Sequence, residues 1–221
     1  MILFRFVVLA LIKVFSKLFY RIDFGWIGRP VISWGDLRLI MLLNHTSLFE
    51  PVFAGILPWS FLWRVARNGI FPVAAETMER PIAGKFFALM AHRVISLTRK
   101  RDGTWSLFMS NVERDSIVLI TPEGRMKRRG GLDKFGKPMT VRAGVVEVLK
   151  ALGSGPMLIA YSGGLHHIHT PGQRLPRVFK TLRLRLECMD IGNYLSGFEA
   201  LSDSTFRKAV VADLEARRDR N

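Results

Sequence analysis

The chain has 221 residues, of which 33 are Lys or Arg and 18 are Asp or Glu, so its formal net charge is +15 at pH 7. Because 49% of the residues are hydrophobic, this charge favours an anionic membrane surface over nucleic acid, whose protein partners are usually polar overall. The length suits one domain with its own core. The single cysteine, Cys188, excludes an internal disulfide and is interpreted as a small core hydrophobe.

The first predicted element is an amphipathic helix over residues 1–21, rich in Phe, Leu, Val and Ile and free of Gly and Pro. Its longest uncharged run, residues 6–12, is too short to cross a bilayer core of about 30 Å. Lys13, Lys17 and Arg21 share one helical face and apolar residues cover the rest, which is typical of a helix lying in a membrane interface. The alternative is a signal peptide, but no small-residue cleavage site follows the apolar stretch.

Residues 1–24 are therefore predicted to be a retained membrane anchor, followed by a single domain over residues 25–221. We expect the protein at the cytoplasmic face of the inner or cell membrane.

Strands and helices are predicted to alternate along the rest of the chain. Predicted strands cover residues 37–43, 91–97, 116–120, 156–161 and 181–188, after a short apolar segment at 31–34. Predicted helices cover residues 47–57, 82–90, 105–112, 143–152 and 198–218. This order predicts an α/β fold with a central, mostly parallel sheet flanked by helices.

His45 follows an apolar strand, at the kind of strand end where α/β proteins place their sites. A carboxylate beside it, such as Glu50, would fix the tautomer of the imidazole and stabilise its protonated form, as a general base requires. The two can meet only if His45 precedes the helix, because five helical residues would turn them to different faces. The sequence Ser47-Leu48-Phe49-Glu50 also fits a capping box, and the pair alone favours that structural role.

A second polar turn, Pro122-Glu123-Gly124-Arg125, follows the predicted strand 116–120. Its Gly permits a tight turn that presents backbone N–H groups, and its Arg adds a guanidinium, so the turn can bind an anion. The alternative is an ordinary strand-to-loop turn. If the two strand ends face one another, they offer a base and a clamp for an oxyanion or phosphate.

Together these motifs resemble conserved blocks of the glycerolipid acyltransferases, the 1-acylglycerol-3-phosphate acyltransferase group. Residues 44–51 are similar to that family's His-x4-Asp block, and residues 122–125 to its Pro-Glu-Gly-Thr-Arg block. Pro81-Ile82-Ala83-Gly84 with Arg99 resembles the second block, and residues 155–159 the fourth, so the resemblance covers residues 38–165. Three departures are present: Glu50 replaces Asp, Arg125 stands where the family has Thr, and Ala74 and Ala75 replace the Lys that commonly precedes Glu76.

The resemblance implies transfer of a fatty acyl chain from a thioester, acyl-CoA or acyl carrier protein, to a lysolipid hydroxyl, with 1-acylglycerol-3-phosphate as the main acceptor. It gives His45 the role of general base and Glu50 that of its orienting partner, with Glu123, Gly124, Arg125 and Arg99 binding substrate. No metal or other cofactor is expected, because a thioester is already activated. The shifted Arg125 leaves a lyso-aminolipid or another lysolipid open as acceptor. The other expected partner is a phospholipid surface, and nucleic acid is not expected.

Rival interpretations are weaker. The segment 160–164 resembles a nucleophile elbow without its first Gly. His166, His167 and His169 suggest a metal site, but no carboxylate or Cys stands beside them, which favours a loop or an active-site rim. The basic clusters at 99–101 and 127–129 predict solvated loops or, with the first helix, a positive face for anionic lipid or an acidic acyl carrier protein. A non-enzymatic basic binding protein is the alternative from another class.

Overall fold

The computed structural model describes residues 1–29, 33–98, 102–170, 173 and 175–221. Arg99, the rest of the cluster 99–101 and residues 31 and 32 lie outside this described part. The helices are α1 Ile2–Phe19, α2 Trp59–Asn68, α3 Ala75–Met78, α4 Pro81–Ala88, α5 Thr104–Ser110, α6 Gly144–Leu152, α7 Ile191–Ser196 and α8 Asp203–Arg220, with a 3-10 helix at Glu50–Ile56. The strands are β1 Tyr20–Ile27, β2 Leu39–Leu43, β3 Gly69–Ala74, β4 Arg93–Leu97, β5 Ile117–Ile120, β6 Pro156–Ser162 and β7 Lys180–Asp190.

The strands form one seven-stranded sheet in the order β1-β7-β6-β2-β5-β3-β4. Neighbouring strands run parallel except for β6 and β7, which are antiparallel. The expected α/β fold with a mostly parallel central sheet is therefore confirmed. Because parallel strands end at one edge, the chain leaves β2 and its neighbour β5 side by side, and the two predicted polar turns meet there.

The sheet has a hydrophobic core on each face, which explains why its central strands are apolar at every position. In β2, Leu39, Met41 and Leu43 face the core that includes α6 and α8. Ile40 and Leu42 face the opposite core, which includes the 3-10 helix, α2 and part of α1. The helices on both faces thus hold the end of β2 in a fixed position.

The helix α1 packs against the 3-10 helix and α2 in an orientation that the sequence did not predict. Its buried face contains Lys13, whose Nζ donates to the Gly55 carbonyl oxygen at 2.9 Å and also to that of Leu57. The prediction placed Lys13, Lys17 and Arg21 on one helical face, but Lys13 is buried whereas Lys17 is exposed. The carbonyls at the end of the 3-10 helix need a buried donor, and Arg21 belongs to β1. The outward face of α1 is largely apolar, with exposed Leu3, Phe4, Val7, Leu11, Val14 and Leu18.

The predicted boundary after residue 24 falls inside β1. This strand pairs with β7 from Tyr20 opposite Lys180 to Ile27 opposite Glu187, so the backbone bonds of the sheet continue across the boundary. None of the described helices combines the length and the apolar character needed to cross a membrane.

Candidate functional site

His45 lies in the loop between β2 and the 3-10 helix, and its ring contacts Glu50 in the first turn of that helix. Nδ1 of His45 is hydrogen-bonded to Oε2 of Glu50. Oε1 of the same carboxylate accepts the backbone N–H groups of Thr46 at 2.7 Å and Ser47 at 3.3 Å. Glu50 therefore makes a capping bond and a contact to His45 with different oxygens, so the two interpretations of this pair are compatible.

Glu123 holds the backbone of the same loop from the turn after β5. Its two oxygens accept the N–H groups of Asn44 at 3.1 Å and of His45 at 2.7 Å. Asn44 has φ of 61°, in the left-handed region that Asn tolerates, and its Nδ2 donates to the Ser162 carbonyl oxygen at 2.6 Å. Glu123 is only 1% exposed and orders the His45 loop, and its predicted role in substrate binding stays a prediction.

The charges around His45 favour its protonated form. Burial lowers the pKa of His45, but the carboxylate of Glu50 and, more weakly, that of Glu123 outweigh burial, so the pKa lies above its usual value. Burial raises the pKa of Glu123, against the hydrogen bonds from His45 and Asn44 and the charge of Arg218 in α8. Both shifts are typical of groups that share a partly desolvated site.

Gly124 and Arg125 lie in the expected turn, but both are already engaged. Gly124 has φ of 64°, in the left-handed region that favours glycine, and its N–H donates to the Thr121 carbonyl oxygen at 2.9 Å. That N–H is thus unavailable to an oxyanion. Arg125 forms an ion pair with the buried Asp133, and its guanidinium lies 5.0 Å from the centroid of the Phe135 ring. No motif in the sequence indicates that Asp133 partly neutralises the guanidinium of the predicted anion-binding turn.

A cavity of about 670 Å³ adjoins these residues. His45, Glu50, Gly124 and Arg125 line it together, and its size falls within the range of about 300–1,000 Å³ that is common for ligand sites. Most of the remaining wall is apolar and comes from several elements, including Leu9, Leu42, Phe53, Leu62, Val65, Leu158, Leu184 and Leu186. The site thus combines a few polar residues with a largely apolar wall.

Arg142, just before α6, also lines this cavity and was missed by the sequence analysis. Its backbone N–H donates to the Pro122 carbonyl oxygen at 2.8 Å, and its side chain passes close to Gly124. The one signal in the sequence is a basic residue shortly before a predicted helix. Leu97 and Thr98 line the cavity as well, whereas Arg99, which follows them, lies outside the described residues.

Ser162, His166 and His169, on which the rival interpretations depend, are engaged in hydrogen bonds within the protein. Ser162 is buried, and its hydroxyl accepts the Gly164 N–H at 3.1 Å. Nε2 of His166 bonds to the Lys127 carbonyl oxygen at 2.7 Å, and His169 lies 3.3 Å from the Ser47 hydroxyl. Within the described ranges, no group of three or more His, Cys, Asp or Glu side chains is arranged to hold a metal ion.

A family model described as Acyltransferase matches residues 33–161, which is more than half of the chain and includes both polar turns. Among solved structures, the fold is similar to the crystal structure of the 1-acyl-sn-glycerophosphate (LPA) acyltransferase PlsC from Thermotoga maritima. The TM-score is 0.57 and the identity 18%, over 98% of this chain and 80% of that chain. At this identity the likeness shows the fold alone. A comparison with curated proteins gave no match.

Proposed function

This chain belongs to the acyltransferase family, and we propose on that premise that it moves a fatty acyl chain from a thioester to the hydroxyl of 1-acylglycerol-3-phosphate. The observation that carries the proposal is the contact between His45 and Glu50 on the wall of a largely apolar cavity. Such a cavity favours an acyl chain, because each buried methylene contributes about 0.8 kcal/mol. The acyl donor is acyl-CoA or an acyl carrier protein thioester, with no further cofactor.

In the proposed reaction His45 acts as the general base. Its Nδ1 carries a proton towards Glu50, so Nε2 accepts the proton of the lysolipid hydroxyl. The hydroxyl oxygen then bonds to the thioester carbonyl carbon, and the tetrahedral intermediate expels the thiolate, which takes the proton back from the imidazolium. Glu50 stabilises the imidazolium between these two steps.

For the acceptor phosphate we propose Arg142 together with Arg125. Arg142 lines the cavity with His45, whereas the charge of Arg125 is shared with Asp133. A guanidinium binds phosphate through paired N–H donors, so two of them at one end of the cavity would suit a phosphomonoester. The same Asp133 favours one second candidate, a lyso-aminolipid acceptor, because it reduces the positive charge that Arg125 offers.

We also propose that the apolar outer face of α1 rests on a phospholipid surface. The exposed side chains of this face would bury apolar area in the interface. Trp59 and Trp63 of α2 are 48% and 40% exposed and pack edge-on against Phe6 of α1, which extends the apolar surface with interfacial aromatic rings. Leu11→Glu should lower sedimentation with anionic vesicles, whereas Leu107→Glu, at an exposed leucine of α5, should not. Equal losses in both variants would contradict this surface.

The test of the main proposal is a panel of lysolipid acceptors with one labelled acyl chain, offered on CoA and on acyl carrier protein and read by mass spectrometry. We expect acylation of 1-acylglycerol-3-phosphate that is lost in His45→Ala, and a raised KM for this acceptor in Arg142→Ala. A preference for acceptors without a phosphomonoester would support the second candidate. Transfer that persists in His45→Ala would contradict the assigned base, and no transfer with either donor would overturn the proposal.

A further inference from the structure

The C-terminal helix α8 contacts the candidate active site through Arg218, which pairs with Glu123. The Arg218 side chain is 10% exposed, and its Nη1 lies 3.4 Å from Oε1 of the fully buried Glu123 carboxylate. The same nitrogen donates to the Met139 carbonyl oxygen at 3.1 Å, and Nε pairs with Asp219 at 2.8 Å. The helix lies beyond residues 33–161, so the contact comes from outside the region that the family model matches.

Glu123 connects Arg218 to the backbone of His45. One of its oxygens, Oε1, faces both Arg218 and the Asn44 N–H, and the other accepts the His45 N–H. An ionised carboxylate can accept at both oxygens, whereas a protonated one gives up part of this capacity to its own O–H. A carboxylate this deeply buried is stable in its charged form only with a cation or enough donors beside it.

A second bond from α8 supports the same region. Oε1 of Glu215 accepts the Val141 N–H at 2.8 Å, directly before Arg142. Together with the bond from Arg218 to Met139, it holds the segment between the Glu123 turn and α6 against α8. The helix therefore bonds to Glu123 and Val141, the direct neighbours in sequence of the cavity-lining residues Gly124 and Arg142, and none of its own residues lines the cavity.

We propose that Arg218 is a positioning residue, which holds Glu123 against the backbone of Asn44 and His45 and thereby fixes the His45 ring beside Glu50. The effect on turnover rests on the proposed function, but the chain of contacts can be measured without catalysis. Displacing a catalytic ring by about 1 Å can lower the reaction rate by about 100-fold, so a residue outside the cavity that fixes the ring position is able to control kcat.

The test compares Arg218→Met with Arg218→Lys and with a matched control, Arg217→Met. Arg217 lies on the same helix but pairs with Glu187 at 2.6 Å and Asp213 at 2.7 Å, away from the cavity. In Arg218→Met we expect faster amide exchange in the segment that contains Asn44 and His45. We also expect a kcat lower by about 10- to 100-fold with little change in KM. Arg218→Lys should recover most of both, and Arg217→Met should change neither.

Unchanged exchange and unchanged kcat in Arg218→Met would overturn the proposal, and equal losses in the Arg217 control would assign the effect to the stability of α8. Should Arg218→Met fail to fold, the same readouts in Arg218→Lys and Arg218→Gln decide: kcat equal in the two would overturn the proposal. A double-mutant cycle with Glu123→Gln should be non-additive, because both changes break one contact. If the wild-type protein transfers no acyl group, the proposed function fails, but the exchange data still decide the role of Arg218.

Discussion

Replacing Glu50 by Gln would test the proposed base most directly, because the substitution removes the negative charge of the side chain and keeps its size and shape. The Gln oxygen can still accept the N–H groups of Thr46 and Ser47, so the start of the 3-10 helix is retained. Its NH2 group then faces Nδ1 of His45. Since this group is a donor, it bonds an unprotonated Nδ1 and moves the ring proton to Nε2, the nitrogen proposed to receive the substrate proton.

A wrong tautomer of this kind lowers kcat by about 10,000-fold in a serine protease triad. For Glu50→Gln we expect a loss of about 1,000- to 10,000-fold in kcat, or about 4–5.5 kcal/mol, with KM nearly unchanged. Glu50→Asp should lose less, because the charge remains although the side chain is one methylene shorter. The lost charged hydrogen bond should cost about 1.5–3 kcal/mol of stability, and each kcal/mol lowers Tm by about 2–4 °C.

The assay is steady-state turnover with one acyl donor and 1-acylglycerol-3-phosphate, with thermal melting of each variant to show that it is folded. A folded Glu50→Gln variant that retained more than about a tenth of the wild-type kcat would refute the reasoning, because no tautomer could then be essential. A larger loss in Glu50→Asp than in Glu50→Gln would refute it equally, since charge and not shape is the quantity at issue.

Four further predictions concern His45, Gly55 and Lys13. Although burial lowers the pKa of His45, its carboxylate neighbours raise it above 6.5, so kcat/KM should still rise with pH at 6.5 and level off only above the raised pKa; a kcat/KM already constant at pH 6.5 would contradict this. By linkage, protonated His45 should contribute stability that is fully present below pH 6.5 and lost as pH rises through the raised pKa, which melts across pH would show. Gly55→Ala places a Cβ 2.3 Å from the Ser16 hydroxyl and should cost about 1–3 kcal/mol by urea unfolding, unlike Gly130→Ala, which meets open space. Lys13→Met leaves the carbonyl oxygens of Gly55 and Leu57 without their donor and should lower the free energy of unfolding in urea by about 1–3 kcal/mol. An unchanged free energy would contradict this, because it would mean that bulk water replaces the ammonium group.

The sequence predicted five of the seven described strands, β2, β4, β5, β6 and β7, and missed β1 and β3. β2, β5 and β6 are continuous apolar runs, because parallel strands buried on both faces need hydrophobic residues at every position. β3 was missed because it contains Gly69 and Pro72, which usually argue against a strand. β1 was missed because its pattern is mixed, and the polar residues near its start were assigned to the first helix.

The candidate site was predicted in part. Four sequence blocks in order predicted the acyltransferase family, which the family model confirms, and the spacing of His45 and Glu50 predicted how they could meet. The ion pair between Arg125 and Asp133, the place of Arg142 on the cavity wall and the bond from Arg218 to Glu123 were not predicted. No periodicity or motif links such residues, so the chain carries no local signal of their contacts.

The sequence by itself determined the identity of the family, the alternation of strands and helices and the largely apolar character of α1. Only the tertiary structure decided which face of α1 turns inward and which groups surround His45. Lys13 lies 42 residues from Gly55 along the chain, His45 lies 78 from Glu123, and Glu123 lies 95 from Arg218. Periodicity reports burial within a few turns of chain, whereas the partner of a buried charge is set by segments that meet only when the whole sheet and its helices have assembled.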